Sequence, residues 1–182
     1  MTTQPNKTRL TPVNDTRRPV FDSGVIEPSF RLRRKMRTMM TIDDTTILQR
    51  NRELVTRYFE EVWNQGQLDL LDELMAPDYI NHSSSTPNPR PGPADLKPIV
   101  AEMRRGIPDL HYDILDMVVA ADKVAVHLRM TGTHTGTLFK MQPQGRRIDV
   151  RQMQIEWIRG GRIAQHWRLT DDLALLRQIG QL

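Results

Sequence analysis

The residues best suited to proton transfer lie near the end of the sequence, in the stretch IAQHWRLTDDLALLRQIG (residues 163–180). This stretch contains His166, Arg168 and the adjacent pair Asp171 and Asp172. A neutral imidazole can take up and return a proton near neutral pH, and a carboxylate can do so when burial disfavours its charged form. The stretch therefore predicts either an acid–base site or a strand that leads into a helix with an acidic first turn.

Side-chain alternation groups four polar residues on one face of two predicted strands. In the last strand, His166 and Arg168 point to the same side, and in the preceding strand Gln154 and Glu156 do so. If the strands pair through the turn RGGR (residues 159–162), these four side chains form one polar cluster. Alternation alone leaves open whether the cluster lies on solvent or inside a pocket, and whether His166 is a proton shuttle or is only bonded to Glu156 or Gln154.

The two acids after the strand have a structural explanation as well as a chemical one. Thr170 is the predicted N-cap of the last helix, which places Asp171 and Asp172 in its first turn. There the helix dipole favours their charged form, as does the cation of Arg168 nearby. Both effects oppose a general acid at neutral pH. For Asp171, a role at the helix start and a role in a pocket stay open; for Asp172 the structural role is favoured.

The other candidate groups give weaker signals. His82 lies where a short predicted strand meets the loop SSSTPNPRPGP (residues 83–93) and is a candidate for substrate contact, since loops often carry binding residues. His134, at a predicted hairpin end, is expected on the surface or in a turn. The five histidines show no metal-binding spacing, cysteine is absent, and no glycine-rich phosphate loop occurs. We therefore predict no metal site and no thiol chemistry.

The composition is typical of one soluble globular domain. The 182 residues are 38% hydrophobic and 26% charged, and no apolar run approaches the length of about eighteen residues that a membrane span needs. No secretory signal pattern is present. The expected location is the cytoplasm.

Positive charge is concentrated at the beginning of the chain. The sequence has a net charge of +4, and residues 1–42 hold nine basic and three acidic residues, so the remainder has a net charge of −2. Residues 1–42 lack hydrophobic periodicity and are rich in turn formers, which predicts a disordered basic extension. A solvated tail is favoured over a phosphate-binding or transit segment, and no nucleic-acid partner is expected. Alternatively, translation starts at Met40.

Residues 43–182 show the periodicities of a single α+β domain. The pattern predicts helices over residues 44–65, 68–75 and 95–105, a short strand at 78–82, strands at 110–119, 124–134, 148–158 and 163–170, and a final helix over 171–179. The final helix is expected to bury Leu173, Leu176 and Ile179. Three helices that precede a run of antiparallel strands predict helices packed on one face of a curved sheet.

From about Met40 onwards the chain resembles the SnoaL-like ester cyclase or polyketide cyclase family of the nuclear transport factor 2-like superfamily. The resemblance rests on four segments: NRELVTRYFEEVWNQGQLDLLDELMAPDYINH, IPDLHYDILDMVVAADKVAVHLRMTGTHTG, QPQGRRIDVRQMQIEWIRGGRI and QHWRLTDDLALLRQIG. It implies a cone-shaped α+β barrel in which helices close one mouth of a bent, mainly antiparallel sheet around an apolar pocket. It also implies a homodimer formed through the sheet.

The resemblance implies acid–base chemistry without a metal or organic cofactor, such as aldol cyclisation or isomerisation of a hydrophobic carbonyl compound. His166 and Asp171, which lies four residues after Trp167 as in the family, are the expected catalytic residues. Many relatives place an Asp directly after the His-Trp pair, where this sequence has Arg168. The expected substrate-binding residues are Arg168, Gln154, Glu156 and His82. The alternative is a non-catalytic small-molecule-binding or accessory domain of the same fold.

Overall fold

The structure is a computed structural model that describes residues 42–84, 86 and 88–182. Apart from Ile42, the predicted basic extension lies outside the described residues and stays a prediction.

Four α-helices and five β-strands make up the described chain. The helices are α1 (Ile42–Arg57), which continues as a π-helical segment (Tyr58–Asn64), α2 (Leu70–Leu74), α3 (Leu96–Gly106), which follows a 3-10 turn (Pro93–Asp95), and α4 (Asp172–Gln178). The strands are β1 (Met75–Asn81), β2 (His111–Val119), β3 (Lys123–His134), β4 (Arg146–Arg159) and β5 (Arg162–Thr170).

The strands form one sheet in the order β1-β5-β4-β3-β2. β1 runs parallel to β5, and every other neighbouring pair is antiparallel. The predicted α+β class with a mainly antiparallel sheet is therefore confirmed. The sheet has β1 and β2 at its edges and does not close, so the barrel that the resemblance implied is an open curved sheet.

The two faces of the sheet differ in burial. Along β3 the side chains alternate strictly between buried and half-buried positions, as the period of two in a strand requires. The inner face carries the buried side chains and packs against the helices; for example, Phe59 and Tyr112 have ring centroids 5.8 Å apart. The outer face carries side chains that are half-buried or exposed, among them Met153, Ile155 and Trp157.

The first helix changes its winding where it meets the core. Gln65 N donates to the carbonyl of Glu60, an i→i−5 bond, at 3.1 Å, which is the π-helical pattern. Arg104 Nη1 from α3 donates to the carbonyl oxygens of Trp63 (2.8 Å) and Asn64 (2.6 Å), which closes the C-terminal end of the segment. The sequence predicted a single regular helix here, and the extra residue per turn directs both Tyr58 and Trp63 into the interior.

Some predicted boundaries and burials are wrong in detail. Thr170 is the last residue of β5, and the N-cap of α4 is Asp171. Leu173 is 52% exposed, although Ile179 is fully buried as predicted. His134 is fully buried and not on the surface, because it lies on the inner side of β3.

Candidate active site

A cavity of about 310 Å³ lies between the inner face of the sheet and the helices. Its apolar part is formed mainly by α3, the segment at residues 138–141 and α4: Leu96, Ile99, Met103, Leu138, Met141, Leu175, Leu176 and Ile179. An apolar body with polar groups concentrated at one end is the usual form of a small-molecule site.

The polar end of the cavity is built by the pairing of β4 with β5. Glu156 is opposite His166 and Gln154 is opposite Arg168 in the antiparallel register. All four side chains lie on the inner face, and His166, Gln154 and Arg168 line the cavity. The cluster that alternation predicted therefore points into a pocket and not to solvent.

His166 and Glu156 form a buried hydrogen-bonded pair. His166 Nδ1 lies 2.8 Å from Glu156 Oε1, and the side chains are 6% and 0% exposed. A carboxylate oxygen accepts, so Nδ1 is the nitrogen that carries the hydrogen, and Nε2 of the neutral ring keeps its lone pair. Glu156 is not among the residues that line the cavity. It lies behind His166 and orients the imidazole.

A chain of amide hydrogen bonds fixes the orientation of Gln154. Its Nε2 donates to Gln152 Oε1 at 2.9 Å, and Gln152 Nε2 donates to the sulfur of Met130 at 3.6 Å. Gln154 Oε1 is thereby left as a buried acceptor that has no hydrogen bond within the described part of the chain. It is available to a donor on a bound molecule.

Two buried tyrosines also line the cavity. Burial, reinforced by the negative charge of Glu156, raises the pKa of Tyr58 well above its usual range. Burial raises the pKa of Tyr112 to about 12, against the opposing charge of Arg168. Both hydroxyls stay protonated at neutral pH, so they can act as neutral hydrogen-bond donors.

Neither Tyr58 nor Tyr112 is among the site residues that the sequence predicted. Tyr112 occupies a buried position of β2 opposite Met130. The alternation of a strand predicts that such a tyrosine points inward, but it does not distinguish a side chain of the packed core from one that lines a ligand cavity. The hydroxyl group could have indicated a binding role for Tyr112, because a buried tyrosine needs a hydrogen-bond partner.

Two of the predicted site residues lie away from the cavity. Asp171 is exposed, and its Oδ1 accepts from Ala174 N at 3.0 Å as the N-cap of α4. His82 is exposed and stacks on Trp167 with ring centroids 4.4 Å apart, on the opposite side of β5 from His166. The structure thus brings together His166, Arg168, Gln154 and Glu156, and their roles and those of Asp171 and His82 stay predictions.

The described residues contain no group of three or more metal-ligating side chains placed to hold a metal ion. Among the helices that the structure describes, none has the length and hydropathy that crossing a membrane requires.

Comparison with known proteins identifies the family. The family model for SnoaL-like polyketide cyclases matches residues 53–179. The chain is 28% identical over 119 residues to nogalonic acid methyl ester cyclase from Streptomyces nogalater, covering 65% of this chain and 89% of that protein. It is 26% identical over 129 residues to an aklanonic acid methyl ester cyclase from Streptomyces peucetius, covering 70% and 89% respectively.

A solved structure has a similar fold. TsrD from Streptomyces laurentii superposes with a TM-score of 0.67 at 27% identity, over 74% of this chain and 97% of that chain. The resemblance predicted from the sequence is confirmed. The chain belongs to the SnoaL-like polyketide cyclase family.

Proposed function

We propose that the protein catalyses ring closure of a hydrophobic polyketide carbonyl compound by an intramolecular aldol reaction, without a cofactor. The curated relatives are named as cyclases of acid methyl esters, so the proposed substrate is a methyl ester of a polyketide acid. The observation that carries the proposal is the buried His166–Glu156 pair at the polar end of an apolar cavity.

In the proposed reaction His166 is the base and then the acid. Nε2 removes a proton from a carbon next to a carbonyl group, and the resulting enolate carbon attacks a second carbonyl of the same molecule. A carbon–carbon bond forms, and the alkoxide oxygen takes the proton back from the imidazolium. Substrate and product have the same atoms, and the enzyme returns to its starting state.

The neighbouring groups have supporting roles in this proposal. Glu156 stabilises the imidazolium through Nδ1. Arg168, on the cavity wall, supplies positive charge for the enolate or for an anionic group of the substrate. Gln154 Oε1 accepts a hydrogen bond from the substrate. Asp171 remains the second base predicted from the sequence, but its exposed capping position favours His166 as the principal one.

Replacement of His166 tests the proposal. We expect His166→Ala to lower kcat by about 10²- to 10⁴-fold, the usual contribution of a positioned acid–base group. The assay uses nogalonic and aklanonic acid methyl esters as probes and follows conversion to a product of equal mass. His111→Ala is the matched control, because His111 is exposed at the start of β2.

The outcome also separates catalysis from binding. Unchanged turnover in His166→Ala would remove this residue from the mechanism. A wild-type protein that binds the esters but converts neither of them would favour the non-catalytic binding alternative.

We propose further that the protein is a homodimer formed through the outer face of the sheet. That face exposes a group of large apolar side chains: Val118, Met153, Ile155, Trp157 and Leu169. Such a contiguous apolar face is typical of a protein–protein interface.

We also propose that the protein is located in the cytoplasm.

A further inference from the structure

Tyr112 makes a hydrogen bond that is weak for a buried hydroxyl. Its Oη donates to the sulfur of Met130 at 3.1 Å, and both side chains are about 1% exposed. A thioether is a poor acceptor compared with an oxygen. Both residues line the cavity, so a ligand oxygen that reaches this wall offers Tyr112 a better acceptor than the one it has.

A second donor points at the same sulfur. Gln152 Nε2 lies 3.6 Å from Met130 Sδ, and Gln152 also lines the cavity. Two buried donors, from β2 and β4, therefore share one weakly accepting sulfur, and Gln152 also lies within hydrogen-bonding reach of the Tyr112 hydroxyl. An anionic oxygen is a much stronger acceptor than a thioether, so both donors bind it more strongly than they bind the sulfur.

The local charge favours an anion at this position. The positive charge of Arg168 acts to lower the pKa of the Tyr112 hydroxyl against the larger effect of burial, whereas at Tyr58 the negative charge of Glu156 has the larger effect and raises the pKa. Positive charge from Arg168 and two neutral donors thus surround one part of the cavity wall, while the charge of Glu156 lies behind His166.

We propose that the Tyr112 hydroxyl donates a hydrogen bond to the substrate oxygen that becomes negative during cyclisation, in exchange for its bond to Met130. The inference rests on the proposed function for the identity of that oxygen, an enolate. In the free protein the donor is bonded to sulfur, and in the reaction it is bonded to an oxyanion. A hydrogen bond to an oxyanion is stronger than one to the neutral carbonyl oxygen of the bound substrate, so the interaction strengthens as the enolate forms and contributes to kcat.

A phenolate probe tests the donor without requiring turnover. The probe is 4-nitrophenol at a pH at which it is ionised, and 4-nitroanisole, which has no oxyanion, is the neutral comparison. Loss of a hydrogen bond to a charged oxygen weakens binding about tenfold or more. We expect that loss for the phenolate in Tyr112→Phe, with binding of 4-nitroanisole unchanged.

Tyr79→Phe is the matched control. Tyr79 is a buried tyrosine whose hydroxyl has no hydrogen bond among the described residues, and it does not line the cavity that contains His166. This variant should bind the phenolate like the wild type. Met130→Leu removes the competing sulfur and should bind the phenolate more tightly, because the hydroxyl no longer exchanges one partner for another.

Three results would overturn the proposal. The first is equal phenolate binding by the wild type and Tyr112→Phe, and the second is an equal loss for both probes, which indicates packing alone. The third is a wild-type protein that does not prefer the phenolate to 4-nitroanisole. None of these depends on activity, so failure of this inference is distinguishable from failure of the cyclase proposal, which the His166→Ala assay measures.

Discussion

Glu156 is fully buried and uses one of its two carboxylate oxygens to hold His166. The other oxygen, Oε2, has no hydrogen bond within the described chain. A buried carboxylate with so few partners is costly unless a positive charge lies beside it. In the proposed reaction the imidazolium of His166 forms directly beside this carboxylate, which is then its counter-charge.

This coupling predicts the effect of removing the charge at Glu156 while keeping its size. We expect Glu156→Gln to lower kcat by about 10²-fold, toward the lower end of what a positioned base contributes, because the imidazolium loses its counter-charge. Turnover of the methyl ester probes measures the loss, and thermal unfolding verifies that the variant is folded. A kcat equal to that of the wild type would show that the charge is not needed.

The site could be predicted from the sequence only in part. Alternation was sufficient to place Glu156 and His166 on the same face, because a strand has a period of two. It could not decide whether that face was inward, since this depends on which side of the sheet the helices cover. The role of Glu156 behind His166, and the cavity position of Tyr112, depend on side-chain depth that no spacing encodes.

The junction between β5 and α4 is organised by Asp171. Its carboxylate accepts from Ala174 N, and Asp171 N donates to Arg151 O at 3.1 Å, which joins the helix start to β4. α4 supplies Leu175 and Leu176 to the cavity wall. This N-cap therefore stabilises the start of α4, the helix that carries Leu175 and Leu176 of the cavity wall.

Substitution of Asp171 separates its two interpretations. We expect Asp171→Ala to lower the free energy of unfolding by about 1 kcal/mol, the usual value of an N-cap, and Asp171→Asn to lower it much less because Asn caps well. Chemical denaturation gives both values. Loss of turnover in Asp171→Asn at unchanged stability would show that the carboxylate itself is needed, as the prediction of a catalytic Asp171 requires.

Most elements could be predicted, whereas the winding of the first helix could not. The apolar positions Tyr58, Phe59, Val62 and Trp63 fit a helical face, but over two turns the periods of α- and π-helices are hard to tell apart. The bonds from Arg104 that close this segment come from α3. They join residues that are about 40 positions apart, so they cannot be predicted from local sequence patterns.

At the scale of the whole molecule, the outer face of the sheet determines the proposed assembly. Leu169 is 74% exposed on this face, and Trp157 and Trp167 contact each other there with ring centroids 5.2 Å apart. Burying such side chains against a second copy would remove them from water.

We expect Leu169→Lys to shift the protein from dimer to monomer, because a charge in an apolar interface is left unpaired. Sedimentation velocity over a range of concentrations measures the change. Leu173→Lys is the matched control, since Leu173 is also exposed but lies on α4. A wild-type protein that sediments as a monomer at all concentrations would contradict the dimer.

Acid should destabilise the fold through four carboxylates that are exposed or half-buried and are bonded to arginines. A side-chain hydrogen bond from an arginine lowers the pKa of Glu73, Asp78, Asp95 and Asp149 below its usual value. In the unfolded chain these groups take up protons at a higher pH than in the folded chain, so stability is present above about pH 4 and is lost as the pH falls.

Thermal unfolding between about pH 7 and about pH 3 measures this effect. We expect the midpoint temperature to be nearly constant at first and then to fall below about pH 4. Salt should reduce the difference, because the pairs lie at the surface. A midpoint that stays constant to the lowest pH would contradict the assignment.

The fold class followed from the order of elements in the sequence, while the openness of the sheet did not. Helices followed by antiparallel strands predicted the α+β arrangement. Closure depends on how far the strands at the two edges, β1 and β2, lie from each other, and this distance is a property of the complete packed molecule.

Because β1 pairs with β5, the sheet can be completed only after β5 has been synthesised. In the described sheet β5 is the only neighbour of β1, and the contact between His82 and Gln165 joins residues 83 positions apart. During synthesis β1 therefore leaves the ribosome long before its partner strand exists, and its edge stays unpaired and able to associate with other chains. Because β5 also carries His166, a chain interrupted before this strand would lack both the protection of that edge and the proposed base.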